Sequence, residues 1–418
     1  MATMNTCQHP TRPTALKLAL RIRAECARES AKRASVTRVG PSLFAALIVA
    51  ATLTHVASAQ SPAKQSAAFF KSDKVLDLVI DLGPKDLDAL RRNPRAYAKA
   101  TLKDGDKTYK DIGIHIKGAA GSFRGIDDKP GLTLNMNKFD QEKLFYGMDK
   151  WHLANSVQDP SYLSELICGE LFRAAGVPAA RVAHATLTIN GRKRGLYYLK
   201  EGYDKHFLHQ QFKNHHGNLY DGGFLREIDQ PLQLLMGRAD VKDRADLKAL
   251  AAAAREPDAK KRFDRLEKVL DMDRFISYLV LEAITWDWDG YPMNRNNYRL
   301  YHDPERDKIV FLPSGMDQMF GNPGGPILPG FQGMVASAVV NSPEGKKRYY
   351  ARMAEIHKDI FKPDVMLKRL DELQARVQPV LRSIDKGAGN DFPNQVNRLR
   401  DGIRQRHKSI EQQLKNIK

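Results

Sequence analysis

Cysteine is nearly absent. Of three in 418 residues, Cys7 and Cys26 fall in a segment that reads as a leader, which leaves Cys168 alone and excludes an intramolecular disulfide in the mature chain. Stability must therefore come from packing, and Cys168 sits on an apolar helical face, where a thiol is ordinarily buried and inert. Long hydrophobic runs are also missing: the longest, Leu43–Val56, has 14 residues, short of the roughly 20 that a spanning helix needs. There is no Gly-x-Ser-x-Gly elbow, which argues against an ordinary serine hydrolase. His206, His209, His215 and His216 follow a helix without metal-ligand spacing and read as surface residues. No internal repeat is present.

The leader has a basic region (Arg21, Arg23, Arg28, Lys32, Arg33, Arg38), an apolar run and then Ala57-Ser58-Ala59. That order predicts a signal peptide over residues 1–59, removed after Ala59, and hence a secreted, periplasmic or cell-envelope protein with no transmembrane segment in the mature chain. An uncleaved anchor is the alternative. The formal net charge is +18, of which the leader contributes eight basic and two acidic residues, so the mature part stays basic at +12. Its positive residues are interleaved with acids along helices, as in Lys346-Lys347-Arg348 near Glu344 and Glu355. This pattern describes solvated helix faces rather than a specific nucleic-acid site.

Residues 60–68 read as a polar linker. From Val75 the pattern is mainly strands: alternation from Leu76 to Leu82, a hairpin over 98–103 and 112–116, a strand over 132–136, and a hairpin over 182–189 and 195–200 turned by Asn190-Gly191. Asp159-Pro160 and Gly176 bracket one helix in this half. Beyond residue 203 the pattern turns helical, at about 204–212, 240–255, 262–285, 343–360, 363–383 and 394–416, with one hairpin over 297–301 and 308–312. The expected layout is α+β, with a strand-rich N-terminal lobe (69–202) and a helical C-terminal lobe (203–418). A Gly-Pro-rich loop, ordered or mobile, is expected over 321–334.

The chemistry concentrates in residues 286–298, Trp-Asp-Trp-Asp-Gly-Tyr-Pro-Met-Asn-Arg-Asn-Asn-Tyr, and in 313–321, Pro-Ser-Gly-Met-Asp-Gln-Met-Phe-Gly. A short hairpin between them returns the chain near its start, so Asp289, the asparagines and Asp317 are expected to converge. Phosphoryl transfer uses such hard oxygen donors: one or two carboxylates or carboxamides for magnesium, and another carboxylate that orients the attacking hydroxyl. Protein kinases place an Asp and an Asn in a loop, then a hairpin, then a second Asp. Taken alone, Asp287 and Asp289 could equally cap a turn and the Asn-Asn pair fill left-handed loop positions.

Trp-Asp-Gly-Tyr, followed by Asn-Asn-Tyr-Arg-Leu-Tyr and Pro-x-x-x-Asp-x-x-Phe-Gly, resembles the CotH kinase family. Ile116-Lys117-Gly118, Lys129-Pro130-Gly131-Leu132-Thr133-Leu134, Ile189-Asn190-Gly191, Gly195-Leu196-Tyr197, Glu201 and Gly217-Asn218-Leu219-Tyr220 extend the resemblance over about residues 75–321. The resemblance implies an atypical protein-kinase-like fold that binds ATP with Mg2+ or Mn2+ and transfers the γ-phosphate to a protein hydroxyl. It makes Asp289 the catalytic carboxylate, Asp317 a metal ligand, and Asn296 or Asn297 another, with Asn294 as an alternative. Lys129 or Lys117 would contact phosphates, and Glu201 would orient the lysine or the metal. The pattern departs from ordinary kinases in lacking His-Arg-Asp and Asp-Phe-Gly, and from many relatives in having one acid at Gly315-Met316-Asp317. A non-catalytic kinase-like binding module of the envelope, or another metal-dependent transferase or hydrolase, are the alternatives. The residues specify neither the acceptor nor an oligomeric state.

Overall fold

The computed structural model describes residues 60–417 other than 73, 141 and 238–242; the predicted leader and its cleavage point lie outside them. The first element corrects an expectation. Residues 60–68 are not a linker, because most of them belong to helix α1 (Pro62–Lys71), with Ser61 as N-cap and Pro62 in the first turn. Phe69 anchors it, 4 % exposed, its ring stacked on Tyr146 with 4.5 Å between centres. The small polar residues of the segment conceal this anchor, which lies one position beyond it.

Seven strands then close into a barrel: β1 (Val75–Asp81), β2 (Ala98–Asp104), β3 (Lys107–Lys117), β4 (Gly131–Asn135), β5 (Lys150–Ala154), β6 (Val182–Ile189) and β7 (Arg192–Glu201). Their order is β1-β2-β3-β4-β5-β7-β6, sealed by the parallel pairing of β1 with β6 from Val75↔His184 to Ile80↔Ile189. Helix α2 (Pro84–Arg92) lies between β1 and β2 in the chain, and α3 (Ser164–Ala174) between β5 and β6. Strand alternation decides what faces inward. Ile112, Ile114, Ile116, Leu132, Leu134, Trp151, Leu153, Tyr197 and Leu199 fill the barrel. Leu196 and Tyr198 belong instead to the core shared with the helices, so the end of β7 is buried on both faces.

The described remainder comprises helix α4 (Lys205–Gln211), strands β8 (Leu219–Asp221) and β9 (Gln233–Met236), and helices α5 (Ala245–Ala254), α6 (Ala259–Val269), α7 (Met272–Thr285) and α8 (Tyr291–Asn294). Strands β10 (Tyr298–Asp303) and β11 (Lys308–Pro313) follow, then α9 (Met334–Val340), α10 (Pro343–Asp359), α11 (Pro363–Ile384) and α12 (Lys386–Lys415). Strands β8 to β11 form a second sheet, in the order β11-β10-β8-β9. No helix among the described residues is long and apolar enough to cross a membrane.

Local chemistry explains where these elements depart from the sequence pattern. The helix expected over 262–285 is two, because Asp271 donates its N–H to Ile309 O (2.9 Å) and caps a new helix through its side chain. The helix expected from Asp159 begins at Ser164, since both Asp159 oxygens are spent on the preceding turn, accepting from Ser161 N (3.0 Å) and Ser164 N (3.0 Å). The Gly-Pro-rich stretch after residue 321 is held in place. Fully buried Arg406 of α12 donates to Gly325 O and to Ala283 O (2.7 Å), and Gln413 donates to Gly325 O (3.0 Å).

Candidate functional site

The register of the β10–β11 hairpin brings the two motif loops together. Tyr298 pairs with Pro313, which sets Asn297 beside Ser314, and Ser314 N donates to Asn297 O at 2.9 Å. Within the first loop three non-glycine residues adopt left-handed backbone: Trp286 (φ 52°), Arg295 (φ 56°) and Asn297 (φ 50°). Such conformations cost free energy and persist where the surroundings enforce them. Here the enforced turn wraps the half-buried Asp289 carboxylate in three side-chain amides: Asn294 Nδ2 (2.7 Å), Asn296 Nδ2 (2.9 Å) and Asn297 Nδ2 (3.1 Å). A carboxylate only accepts, so each asparagine must present nitrogen to Asp289, which leaves the amide oxygens for other partners. Asn297 also packs on Gly315 (φ 73°), where an added Cβ would lie 2.7 Å from its amide carbon and oxygen.

The second loop is anchored from the barrel side. Met316 N donates to Glu165 Oε2 (2.8 Å) in the first turn of α3, and Glu165 forms an ion pair with Lys200 of β7. Both charges are buried, at 1 % and 5 % exposure, and Lys200 Nζ reaches Ser314 Oγ at 3.5 Å. Lys117 ends β3 on the outward parity, opposite to Ile112, Ile114 and Ile116, and its charge is felt with those of Lys200, Glu165, Asp317 and Arg299. Burial, reinforced by Lys200, lowers the Lys117 ammonium to about 8. Burial, reinforced by the carboxylates of Glu165 and Asp159, raises Asp317 to about 7. His152 lies on the same outer face, hydrogen-bonded to Thr133 Oγ1 (3.0 Å) and kept neutral by burial beside Lys117 and Lys200. Basic and acidic groups thus share one surface between the barrel wall and the two loops. The charges of both Asp289 and Asp317 act on the buried carboxyl of Asp287.

Two residues predicted for this group lie elsewhere. Lys129 donates to Tyr162 Oη (2.9 Å) and sits over the Tyr162 and Tyr197 rings, 5.0 and 5.4 Å from their centres; its charged neighbours are Asp385 and Asp128, and burial lowers it to about 8. Glu201 pairs with Arg181 and accepts from Arg181 N (3.2 Å). Strand parity gives the reason: Lys200 shares the face of Leu196 and Tyr198, toward α3, whereas Glu201 has the opposite parity. The lysine–glutamate pair of this site is therefore Lys200–Glu165, neither of which the motif reading singled out. The available signal was adjacent charges, Lys200-Glu201, ending a strand otherwise apolar from Leu196, where each must find a partner.

The chain belongs to the CotH kinase protein family, whose model matches residues 114–410. The inner spore coat protein H of Bacillus subtilis is 22% identical over 324 residues, 71% of this chain and 85% of that protein. The invasin CotH3 of Rhizopus delemar is 27% identical over 187 residues, 40% of this chain and 31% of that protein. The spore coat protein homolog 1 of the same fungus is 26% identical over 181 residues, 39% of this chain and 29% of that protein. The chain thus spans about a third of the length of the Rhizopus relatives it matches.

Proposed function

We propose that the chain is an exported, metal-dependent phosphotransferase with a kinase-like arrangement, which moves the γ-phosphate of ATP to a protein hydroxyl. The observation that carries this reading is Asp289 fixed by three carboxamides across a hairpin from Asp317, beside Lys117 and the buried Lys200–Glu165 pair. Asp289 orients the acceptor hydroxyl and takes its proton. Lys117 and Lys200 offer positive charge to phosphate oxygens, and Glu165 holds Lys200 in place, as a strand lysine and helix glutamate do in protein kinases.

The donor set fits a hard divalent cation. Among the described residues no three His, Cys, Asp or Glu side chains are grouped to hold a metal, but magnesium needs only one or two protein oxygens when phosphates and water supply the rest. Asp317, whose carboxylate form is disfavoured by burial and by Glu165, would hold Mg2+ or Mn2+ together with the amide oxygen of Asn296 or Asn297. The ion would supply charge neutralisation at the phosphates.

Transfer of label from γ-labelled but not α-labelled ATP to a protein acceptor tests the reaction. Asp289→Asn should lower turnover by about 10²–10⁴-fold with the fold intact. Undiminished transfer by that variant would remove Asp289 from its role. The names of the relatives, an invasin and spore coat proteins, favour a second reading: a surface-displayed binding module of the same architecture. Absence of ATP binding in the presence of metal would select it.

A further inference from the structure

Beneath the Asp289 turn lies a pair of acids that the proposed phosphotransfer does not use. Glu282, in the last turn of α7, is 0 % exposed, and Asp287 is 1 % exposed. None of their four oxygens makes a hydrogen bond of ordinary geometry, and Glu282 lies within hydrogen-bonding reach of both Asp287 and the Tyr278 hydroxyl. The backbone ties both to the turn: Asp287 N donates to Glu282 O (2.9 Å) and Gly290 N to Asp287 O (3.0 Å). A Cβ on Gly290 would lie 1.8 Å from Glu282 Oε2 and 3.2 Å from Asp287 Cγ, so the two carboxyl groups fill the hollow of the turn that carries Asp289.

The titratable groups whose charge acts on this pair, or that feel its charge, are Tyr278 on α7, Cys168 and Glu165 on α3, Asp289 on the same turn and Asp317 on the second loop. None of them is a cation. Two carboxylates cannot both stay charged in such surroundings, and the uncompensated alternative is far more costly than binding a proton.

We propose that Glu282 and Asp287 share a proton, and that the resulting carboxylic acid–carboxylate hydrogen bond is a positioning element for the Asp289 turn. Burial raises both acids, Glu282 to about 8 and Asp287 well above the carboxylate range, so the pair holds at least one proton at neutral pH. Removing it puts two negative charges in the hollow and opens the turn. The consequence for turnover rests on the phosphotransferase reading; the shared proton does not.

The test uses the mature chain without nucleotide or metal. Infrared spectra at neutral pH should show the carbonyl stretch of a buried protonated carboxyl, and it should disappear at alkaline pH as emission from Trp286 and Trp288 shifts. Glu282→Gln, which keeps shape and leaves Asp287 as the one titrating acid, should weaken the band and move the alkaline emission change to a different pH. Asp287→Asn serves as the second variant should the first fail to fold. Absence of the band from the wild-type protein, or an identical alkaline emission change in the variants, overturns the proposal. Absence of phosphate transfer with the band present would instead sink the proposed reaction alone.

Discussion

Glu165→Gln isolates the charge that joins the two halves of the site. Glutamine keeps the volume of Glu165 and an oxygen for Met316 N–H, but removes the counter-charge of Lys200, which is only 5 % exposed. Deleting one partner of a buried pair costs about 3–5 kcal/mol, because the other charge stays buried and uncompensated. The one amide oxygen is spent on Met316 N–H, which turns the NH2 donor toward Lys200, so a loss of about 3 kcal/mol or more is expected. Urea unfolding at pH 7, with the midpoint shift multiplied by an unchanged m, reads this directly. Adding Lys200→Met should recover at least half of it, since an uncharged pair of similar volume carries no desolvation penalty, giving a coupling energy of about 1.5 kcal/mol or more. A loss below about 1 kcal/mol for Glu165→Gln, or simple additivity in the double variant, would refute the account of this pair.

Two further predictions concern the loops. Asp317 must lose its proton to hold a metal ion and Lys117 must keep its own to bind phosphate; with Asp317 at about 7 and Lys117 at about 8, affinity for metal and ATP should peak between those values and fall about tenfold per pH unit on either side. Titrations across pH should show both limbs, and Lys117→Gln should abolish the alkaline one. Gly315→Ala forces a left-handed alanine (φ 73°) against the Asn297 amide. It should cost about 1 kcal/mol or more in stability and weaken nucleotide binding in parallel; unaltered binding would show that Asn297 is not needed where it stands.

The site was legible where its chemistry is local in the chain. One hairpin joins the two motif loops, and turn residues mark its ends, so the meeting of Asn297 with Ser314 follows from spacing. Glu165 and Lys200 were hidden because their partnership spans 35 residues and depends on which face of β7 meets α3, a fact that closure of the barrel sets. In isolation Glu165 is an ordinary acid in the first turn of a helix, and Lys200 an ordinary lysine at a strand end. Lys129 and Glu201 drew attention through motif resemblance, yet parity and the aromatic pair Tyr162–Tyr197 direct them elsewhere. The barrel itself was read only as hairpins, since the parallel β1–β6 seam joins strands more than a hundred residues apart and leaves no local mark.

Calorimetric titration of ATP into residues 60–418, with and without magnesium, tests the shared ion most directly. Tight binding that requires the metal and drops at least about a hundredfold in Asp317→Ala is the expected result, the size of effect that losing a charged ligand in a desolvated site brings. Equal affinity with and without magnesium, or an Asp317→Ala variant that binds as the wild type does, would mean that the oxygens of the two loops do not meet around one cation.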